Sequence, residues 1–293
     1  MYYIIFNPTA GAGRSQKAMQ AVEAHLKLKN ENYEVAETKY PKHAAELARE
    51  AVGKGYKGIL SVGGDGTLLE VAGQLYGTEE ALGIIPAGTG NDFRRAVYVS
   101  KDSTEALEVI LAGRTKKVDI GMLGDDLPFL NVAGTGFDVE VIRNTEKVRR
   151  IFTGGLAYFI GILLSLFKHR SIDLTLTANG ETLHRKVLLV AVANGKCFGG
   201  GLQVAPDASV LDGLFNVLII NQVPRWRILF ELPKLKKGQI DKITVSEQLM
   251  CSEIAINCEE TLNFEIDGDM TGQTPARLKI KPSALRVFCP DFE

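Results

Sequence analysis

The chain has 293 residues, of which 45% are apolar and 24% are charged, and its formal net charge is −1. This composition is typical of a folded globular protein, and the length suggests about two domains. A net charge near zero excludes an overall attraction to nucleic acid or to an anionic membrane, so we expect no nucleic-acid partner. The four cysteines are widely spaced and contain no CxxC pair, which excludes a zinc ribbon and a disulfide framework. The start shows no signal-peptide pattern, and we expect a cytoplasmic protein.

The first 121 residues alternate between apolar strand patterns and helical patterns. This alternation predicts an α/β domain with a parallel sheet, covered by helices, that binds ligands at the carboxyl ends of its strands. The predicted strands are 2–6, 34–38, 58–62, 82–85 and 116–121, and the predicted helices are 15–28, 42–53, 67–76 and 104–111.

Three glycine-rich turns follow predicted strands of this half, near residues 9–13, 63–66 and 88–90. Glycine allows the backbone to approach a ligand closely, and the N–H groups at the start of the next helix favour an anion. We therefore predict a phosphate site. Asp65 in the middle turn would repel a bare phosphate, so we expect a magnesium ion between them. Taken alone, this turn also fits an ordinary strand-to-helix connection in which the Asp caps the helix.

After about residue 121 the pattern changes to short β-rich runs that are separated by Gly, Asn and Asp turns. This pattern predicts a second, mostly antiparallel domain. We place the domains at 1–121 and 122–284, with 285–293 packing back on the first. The predicted strands of the second domain are 129–133, 172–177, 186–193, 214–220, 242–245, 254–258, 262–266 and 276–280.

Two segments of the second half are candidates for contact with a membrane surface. Residues 151–167 form an apolar predicted helix with basic residues on both sides, which fits a core helix or an interfacial helix. Residues 224–230 place the single tryptophan, Trp226, between Arg225 and Arg227, which suits a headgroup boundary or a solvated amphipathic helix.

Six short motifs follow one another along the chain. They are Asn7-Pro8-x-Ala10-Gly11, Gly63-Gly64-Asp65-Gly66-Thr67, Pro86-x-Gly88-Thr89-x-Asn91-Asp92, Asn131 to Gly136-Phe137-Asp138, Gly199-Gly200 through Ala205-Pro206 to Asp212-Gly213, and Glu265-Ile266-Asp267-Gly268-Asp269. Together they resemble the diacylglycerol kinase catalytic domain family, which includes sphingosine kinases, and the likeness is closest to the bacterial diacylglycerol and lipid kinases. The resemblance runs from residue 7 to residue 269.

The resemblance implies a magnesium-dependent lipid kinase that transfers the γ-phosphate of ATP to the primary hydroxyl of a lipid, diacylglycerol first among them. It implies a Rossmann-like N-terminal α/β domain and a C-terminal β-sandwich-like domain, with ATP in a cleft between them. The protein would bind its lipid substrate at the membrane surface through peripheral contact. The resemblance leaves open whether the protein forms a homodimer. The implied ATP contacts are Asn7, Pro8, Thr9, Ala10, Gly11, Thr38, Gly63, Gly64, Asp65, Gly66, Thr67, Leu68, Leu69 and Thr89.

By the same resemblance, Asp267 accepts the proton of the lipid hydroxyl and Asp65 acts through the nucleotide-bound magnesium. Asp267 follows an apolar strand at a glycine turn, which can aim a carboxylate into a cleft. The residues alone also fit an ordinary Asp-Gly hairpin turn. Two positions depart from the family pattern. Leu69 replaces an Asn and cannot form its hydrogen bonds, and Asp269 replaces a Glu and has a shorter stem.

The resemblance also implies a second, structural magnesium ion. Asp212 and the backbone carbonyls of Ser209 and Leu214 would hold it, and a lone carboxylate with carbonyl oxygens and waters is sufficient for a hard cation. Asp119 and Asp92 would join a water-bridged acidic network toward this ion, although Asp119 equally fits the cap of a strand end.

Three alternatives compete with the lipid kinase. An NAD kinase shares Gly63 to Thr67, but its downstream Asn-Glu pair is absent, since Val132 follows Asn131. A 6-phosphofructokinase would need a Thr-Ile-Asp segment that the chain does not have. A catalytically silent lipid- or nucleotide-binding protein on the same fold is supported by Leu69 and opposed by the presence of Asp65 and Asp267.

Overall fold

The computed structural model describes residues 1–148, 160–166 and 171–292, apart from the side chains of residues 225 and 226. The chain divides into two compact units. The first consists of Met1–Ile120, Val210–Gly213 and Lys281–Glu293, and the second of Gly121–Ser209 and Leu214–Ile280. Each unit is therefore assembled from segments that are distant in the sequence.

The first unit contains strands β1 (Tyr2–Phe6), β2 (Tyr33–Glu37), β3 (Ile59–Gly63), β4 (Ala81–Pro86) and the first part of β5 (Thr115–Leu123). Its helices are α1 (Arg14–Leu28), α2 (His43–Ala51), α3 (Asp65–Leu75), α4 (Phe93–Ala96) and α5 (Ser103–Leu111). The sheet order is β2-β1-β3-β4, and every neighbouring pair is parallel. Because the strands are parallel, β1, β3 and β4 all end at one edge of the sheet.

Burial explains why these segments form strands and helices. Every residue of β3 and β4 is buried, as expected for parallel strands that are covered on both faces. Helix α2 buries Ala44, Ala48 and Ala51, which share one helical face. Helix α5 begins at an N-cap, because the carboxylate of Asp102 accepts the backbone N–H groups of Thr104 and Glu105 at 2.9 and 3.0 Å.

The second unit is an antiparallel β structure. Its strands are β6 (Leu127–Phe129), β7 (Val132–Gly136), β8 (Ile172–Ala178), β9 (Glu181–Ala193), β10 (Cys197–Phe198), β11 (Leu202–Gln203), β12 (Phe215–Asn221), β13 (Ser246–Cys251), β14 (Glu253–Asn257), β15 (Asn263–Ile266) and β16 (Asp269–Gln273). The final strand, β17 (Ala276–Phe288), pairs with β14 through residues 276–279 in this unit and with β4 through residues 286–287 in the first. The helices are α6 (Phe137–Val148), α7 (residues 160–166) and α8 (Arg225–Lys236).

The long strand β9 is the centre of this unit. Its first half pairs with β8, and its second half pairs with β7 on one side and with β12 on the other. The three helices pack on this sheet through Phe137 of α6, Ile162 of α7 and Ile228 of α8, which belong to one buried apolar cluster. Beyond β7 the sheet continues to β15 and β16, where Asp267 lies in the connecting turn.

The predicted fold class is confirmed, but several predicted elements are wrong. The predicted strand 129–133 is interrupted, because the backbone N–H groups of residues 130–132 bond to a side chain instead of to a neighbouring strand. The predicted strand 242–245 is not formed. Residues Ile240–Lys242 are a 3-10 helix, and Ser246, the first residue of β13, closes a turn onto the carbonyl of Ile243. Helix α6 was not predicted, because it follows β7 without an intervening loop and three of its first six residues, Val139, Val141 and Ile142, are β-branched.

The two membrane candidates are described only in part. Residues 160–166 of the predicted helix 151–167 are helical, and the remainder of that prediction lies outside the described residues. The segment 224–230 forms the start of α8, where the side chain of Phe230 is 68% exposed. Within the described part of the chain, no helix has both the length and the apolar character needed to cross a bilayer.

Candidate active site

The three glycine-rich loops of the first unit meet at the edge where the parallel strands end. The N–H of Asn7, directly after β1, donates to the carbonyl of Val62 at 3.0 Å, and the N–H of Ala87 donates to the carbonyl of Gly63 at 2.8 Å. Thr38, directly after β2, donates its N–H to Phe6 at 2.8 Å. The predicted convergence of these loops is therefore a consequence of parallel strand order.

Side chains connect the first loop to the other two. The amide Nδ2 of Asn7 donates to Oγ1 of Thr67 at 2.9 Å, while its Oδ1 accepts the N–H and the hydroxyl of Thr9 at 3.1 and 2.9 Å. Arg14 donates from Nη2 to Oγ1 of Thr89 at 2.9 Å. These bonds fix the first loop against both of its neighbours.

Asp65 connects the second loop to the third. Its two carboxylate oxygens accept the backbone N–H groups of Asn91 and Asp92, each at 2.7 Å. Burial raises the pKa of the Asp65 carboxyl, the hydrogen bonds from the Asp92 and Asn91 N–H groups oppose this, and the charge of Asp92 adds to it. The third loop is itself closed by Asn91, whose amide exchanges two 2.9 Å hydrogen bonds with the backbone of Gly88. Asp65 is therefore part of the framework that shapes the loops.

Backbone contact between two loops requires glycine. A Cβ atom on Gly88 would lie 2.4 Å from the Cα of Gly64, and a Cβ on Gly64 would lie 3.2 Å from the Cα of Gly88. Real side chains do not tolerate the shorter distance, so this contact requires glycine at position 88, and a side chain at position 64 would crowd it. The close approach brings the start of α3 beside the third loop.

Helix α3 directs its N-terminus toward this edge. It begins at Asp65, and its first intrahelical bond runs from the N–H of Leu68 to the carbonyl of Gly64. The N–H groups that precede this bond have no carbonyl within the helix, which makes the position favourable for an anion. The side chain of Leu68 is buried in the core, so Leu68 can offer a ligand only backbone atoms. Leu69 is half-buried.

Glu70, which the sequence analysis did not assign to any role, connects α3 to the start of α2. Its carboxylate accepts the backbone N–H groups of Lys42 and Ala44 at 3.2 and 3.1 Å. Lys42 has a φ of +69°, and α2 begins at His43. The charge of Glu70 thus stabilises the start of α2 and links it to α3.

A groove of about 470 Å³ lies beside the third loop. Five basic side chains line it, although they come from separate parts of the chain and form no run that the sequence would reveal: Arg14, Lys17, Arg94, Arg95 and Lys101. One of them, Arg95, forms an ion pair with the buried carboxylate of Asp92 at 2.5 Å. A positively charged groove next to backbone N–H groups is suited to a polyanionic ligand.

In the second unit, Asp267 is held by a cluster of backbone N–H groups. Its carboxylate accepts the N–H groups of Leu130, Asn131 and Val132 at 2.7, 2.9 and 3.1 Å, and its own N–H donates to the carbonyl of Val132 at 3.0 Å. Asp267 and Gly268 form the turn between β15 and β16, and Asp267 has a φ of +49°. The residue is therefore both the hairpin turn that the sequence allowed and a carboxylate in a fixed orientation. Asp269 is exposed at the start of β16.

Asp119 organises the loop that carries Asp212. The N–H of Asp119 donates to the carbonyl of Val210 at 2.7 Å, and its carboxylate accepts the N–H groups of Gly213 and Ser283, both at 2.7 Å. Burial raises the pKa of Asp119, the two N–H groups oppose this, and the negative charge of nearby Asp212 raises it further. The side chain of Asp119 therefore acts as a loop cap.

Two of the three predicted metal ligands are backbone carbonyls. In the described residues no group of three or more His, Cys, Asp or Glu side chains is arranged to hold a metal ion. The predicted set has one carboxylate, on Asp212, and the backbone carbonyls of Ser209 and Leu214. This donor set consists of oxygen atoms only, which suits magnesium.

Two family models match the chain. The diacylglycerol kinase catalytic domain matches residues 1–123, and the YegS C-terminal NAD kinase beta sandwich-like domain matches residues 131–289. A diacylglycerol kinase of Mycobacterium tuberculosis is 30% identical over 97% of this chain and 93% of its own length. A probable lipid kinase YegS-like protein of Chromohalobacter salexigens is 31% identical over 84% of this chain and 80% of its own length.

Solved structures show the same fold. A structure from Bacillus anthracis str. Sterne has a TM-score of 0.82 at 24% identity and covers 99% of this chain and 97% of that chain. A diacylglycerol kinase structure from the same strain has a TM-score of 0.75 at 21% identity, with 99% and 96% coverage. These likenesses confirm the architecture of an N-terminal α/β domain and a C-terminal antiparallel β domain.

The hydrogen bonds of Asp65 lead to a testable prediction. In Asp65→Asn, an amide NH₂ faces one of the two loop N–H groups, so one hydrogen bond is lost and the third loop opens more readily. We expect the backbone amides of Asn91 and Asp92 to exchange with deuterium about fivefold faster, since one lost bond is worth about 1 kcal/mol. The measurement is hydrogen exchange at single-residue resolution.

Asp102→Asn is the matched control for this prediction, because Asp102 also accepts two backbone N–H groups in the same unit. Both of these N–H groups bond to the same oxygen, Oδ1, which the amide of Asn also provides. This control should therefore leave exchange at Thr104 and Glu105 nearly unchanged, and exchange at Asn91 and Asp92 unchanged as well. Unchanged exchange at residues 91 and 92 in Asp65→Asn would show that the carboxylate does not hold the third loop.

Proposed function

The chain belongs to the diacylglycerol kinase and YegS-like lipid kinase family, and we propose that it transfers the γ-phosphate of ATP to the primary hydroxyl of diacylglycerol, giving phosphatidic acid. Family membership makes the protein a lipid kinase. Diacylglycerol as the acceptor, magnesium dependence and the roles of single residues are part of the proposal.

The observation that carries the proposal is the joining of three glycine loops into one rigid edge. Phosphoryl transfer needs phosphates that are held by backbone donors, because little covalent chemistry is left for the protein to perform. Loops that are bonded to one another lose little freedom when the nucleotide binds, so more of the binding energy remains for positioning. The bonds of Asn7 to Thr67 and of Asp65 to Asn91 supply this rigidity.

We assign the triphosphate to this edge. The backbone of residues 7–11 and 63–67, with Thr38 and Thr89, would contact the nucleotide, and the start of α3 would face its charge. At Gly66 nothing lies within 4 Å of the position that a Cβ would take, so the backbone there is open to a phosphate. The basic side chains that line the groove next to the third loop, among them Lys17 and Lys101, complement the negative charge of the nucleotide.

We assign the transfer of the hydroxyl proton to Asp267. A general base must hold its carboxylate within hydrogen-bond reach of the attacking hydroxyl, and three backbone N–H groups fix the orientation of this one. The positive φ of Asp267 is consistent with a functional constraint on this turn.

Magnesium has two assigned places. Bound with the nucleotide, the ion would neutralise charge on the phosphates, and Asp65 would act through it while its oxygens also accept the N–H groups of the third loop. A structural ion would be held by Asp212 with the carbonyls of Ser209 and Leu214. The negative charge of Asp212 beside buried Asp119 supports this placement, because a cation there would relieve the repulsion between the two carboxylates.

The lipid substrate requires contact with a membrane surface. Helix α8 supports this part of the proposal, because it exposes Phe230 beside Leu229, which is 37% exposed. Lys236 and Lys237 at its end would meet anionic headgroups. Peripheral contact of this kind needs no spanning helix.

A substrate panel tests the proposed activity. The protein is incubated with radiolabelled ATP, magnesium and mixed vesicles that contain diacylglycerol, sphingosine or phosphatidylglycerol, and with NAD in a separate reaction. We expect the label in phosphatidic acid. Label in NAD alone would support a small-molecule kinase, and absence of label from every acceptor would support a silent binding protein; either result rejects the proposal.

Asp267→Asn tests the assigned base. We expect kcat to fall by about 10²- to 10⁴-fold, the usual contribution of a general base, while the Kd for ATP stays within twofold of the original value. Asp125→Asn, on an exposed turn of the same unit, is the control and should leave both quantities unchanged. If Asp267→Asn retains full kcat, another group accepts the proton.

Asp212→Asn tests the structural ion without relying on activity. Magnesium that binds only the folded protein raises its Tm, so we expect the original protein to melt at a higher temperature in excess magnesium than in chelator. Asp212→Asn should lose this rise. Asp207→Asn, an exposed residue of the preceding loop, should keep it. An equal rise in Asp212→Asn would place the ion elsewhere.

A further inference from the structure

Two buried carboxyl groups lie behind the turn that carries Asp267. Asp138, in the first turn of α6, is 5% exposed, and Glu265, on β15, is fully buried. Each has one oxygen engaged by the backbone: Oδ1 of Asp138 accepts the N–H of Val139 at 2.9 Å, and Oε2 of Glu265 accepts the N–H of Gly268 at 2.9 Å. The remaining oxygens, Oδ2 of Asp138 and Oε1 of Glu265, are buried without a hydrogen-bond partner.

The two remaining oxygens face the same small space. Gly134 on β7 is the direct cross-strand neighbour of Glu265. A Cβ at position 134 would lie 1.8 Å from Oδ2 of Asp138 and 3.2 Å from Oε1 of Glu265, so the carboxyl groups occupy the volume that a side chain would fill. Position 134 must therefore be glycine. The cost of burying two acceptors without donors indicates that a proton lies between them.

We propose that Asp138 and Glu265 share one proton between Oδ2 and Oε1, and that this hydrogen bond positions the turn of Asp267. The inference rests on the proposed function for the role of Asp267. Glu265 connects the shared proton to that turn, because its other oxygen holds the N–H of Gly268, the residue after Asp267. Asp138 and Glu265 are positioning residues and touch no reacting atom.

The electrostatics of the two groups agree with a shared proton. Burial raises the pKa of Asp138 to about 7. Burial raises the pKa of Glu265 well above its ordinary value, and the charges of Asp138, Asp267 and Asp269 raise it further, while the N–H of Gly268 opposes the rise. The charged groups that face Glu265 from α6 and from its own hairpin are thus all carboxylates, and β7 contributes no titratable side chain. Like charges in one buried space favour a single ionised group.

The pattern of amide variants distinguishes a shared proton from simple packing. In Glu265→Gln the amide oxygen can keep the Gly268 bond while the NH₂ donates to Asp138. In Asp138→Asn the oxygen can keep the Val139 bond while the NH₂ donates to Glu265. Each single variant therefore replaces the proton with a permanent donor. In the double variant two NH₂ groups face each other, and no donor–acceptor pair can form without the loss of a backbone bond.

We expect each single variant to keep kcat within about threefold of the original, and the double variant to lose about tenfold to a hundredfold, as expected for buried groups left unsatisfied. The Kd for ATP should stay unchanged in all three. Glu140→Gln, which alters another acidic residue in the first turn of α6, is the control and should match the original protein. Equal kcat in the single and double variants would overturn the proposal.

A second measurement does not depend on catalysis. Because both folded-state pKa values lie above those of the unfolded chain, the stability from the shared proton is present below about pH 4 and is lost as pH rises through about 7. The unfolding midpoint of Glu265→Gln, relative to the original protein, should therefore rise between pH 5 and pH 8 in denaturant titrations. A difference that does not change with pH would overturn the shared proton even if no lipid is phosphorylated.

The expected rise of the Glu265→Gln midpoint relative to the original protein, found together with no labelled lipid in the substrate panel, would support the shared proton and reject the kinase proposal. A metal ion in the same space is also tested. A bound metal ion predicts that each single variant lowers the free energy of unfolding, and that added chelator lowers the free energy of unfolding of the original protein. That result would overturn the shared proton.

Discussion

The two hydrogen bonds from the third glycine loop to Asp65 are the interaction on which the first unit's site depends. Strand order brings three loop ends to one edge of the sheet, but adjacent ends would not by themselves share one conformation. The carboxylate of Asp65 closes the gap between the second and third loops, and the amide of Asn7 closes the gap between the first and second. An anion would therefore meet one preorganised surface of N–H groups.

The second unit uses the same device, a carboxylate that accepts consecutive backbone N–H groups of another segment. There a turn presents a carboxylate, and consecutive N–H groups of residues 130–132 hold it. These N–H groups are available because the chain leaves the sheet between β6 and β7. The interruption of a predicted strand and the fixed orientation of Asp267 thus have one cause. Behind the turn, Glu265 and Asp138 provide a further layer of support in a space that Gly134 leaves open.

The fold class could be predicted from the sequence because the apolar periodicity of the strands and helices is clear and glycine-rich turns separate them. Buried runs such as Ile59–Gly63 alternate with helical patterns, and three of these runs end in a glycine-rich turn. The second half was predicted less well. Helix α6 begins with several β-branched residues directly after β7. The side chain that interrupts the strand at residues 130–132 lies 135 or more positions away in sequence. No local pattern contains that information.

The parts of the candidate site that contain glycine motifs could be predicted from the sequence. The parts that depend on contacts between distant residues could not. Motifs revealed the three loops, Asp65 and Asp267. They did not reveal that Asp65 caps the third loop, that Glu70 caps α2, or that five basic side chains from residues 14 to 101 line one groove. Asp138 and Glu265 stand in two of the motifs, yet only folding shows that their free oxygens meet.

Hydrogen exchange with and without magnesium and ATP shows whether the three bonded loops form one nucleotide-binding edge. The amides of residues 7–11, 63–67 and 88–92 should gain protection together when ATP is added. In Asp65→Asn, protection at 88–92 should weaken most. Protection of one loop without the others, or of none, would contradict the claim that these loops act as a single site.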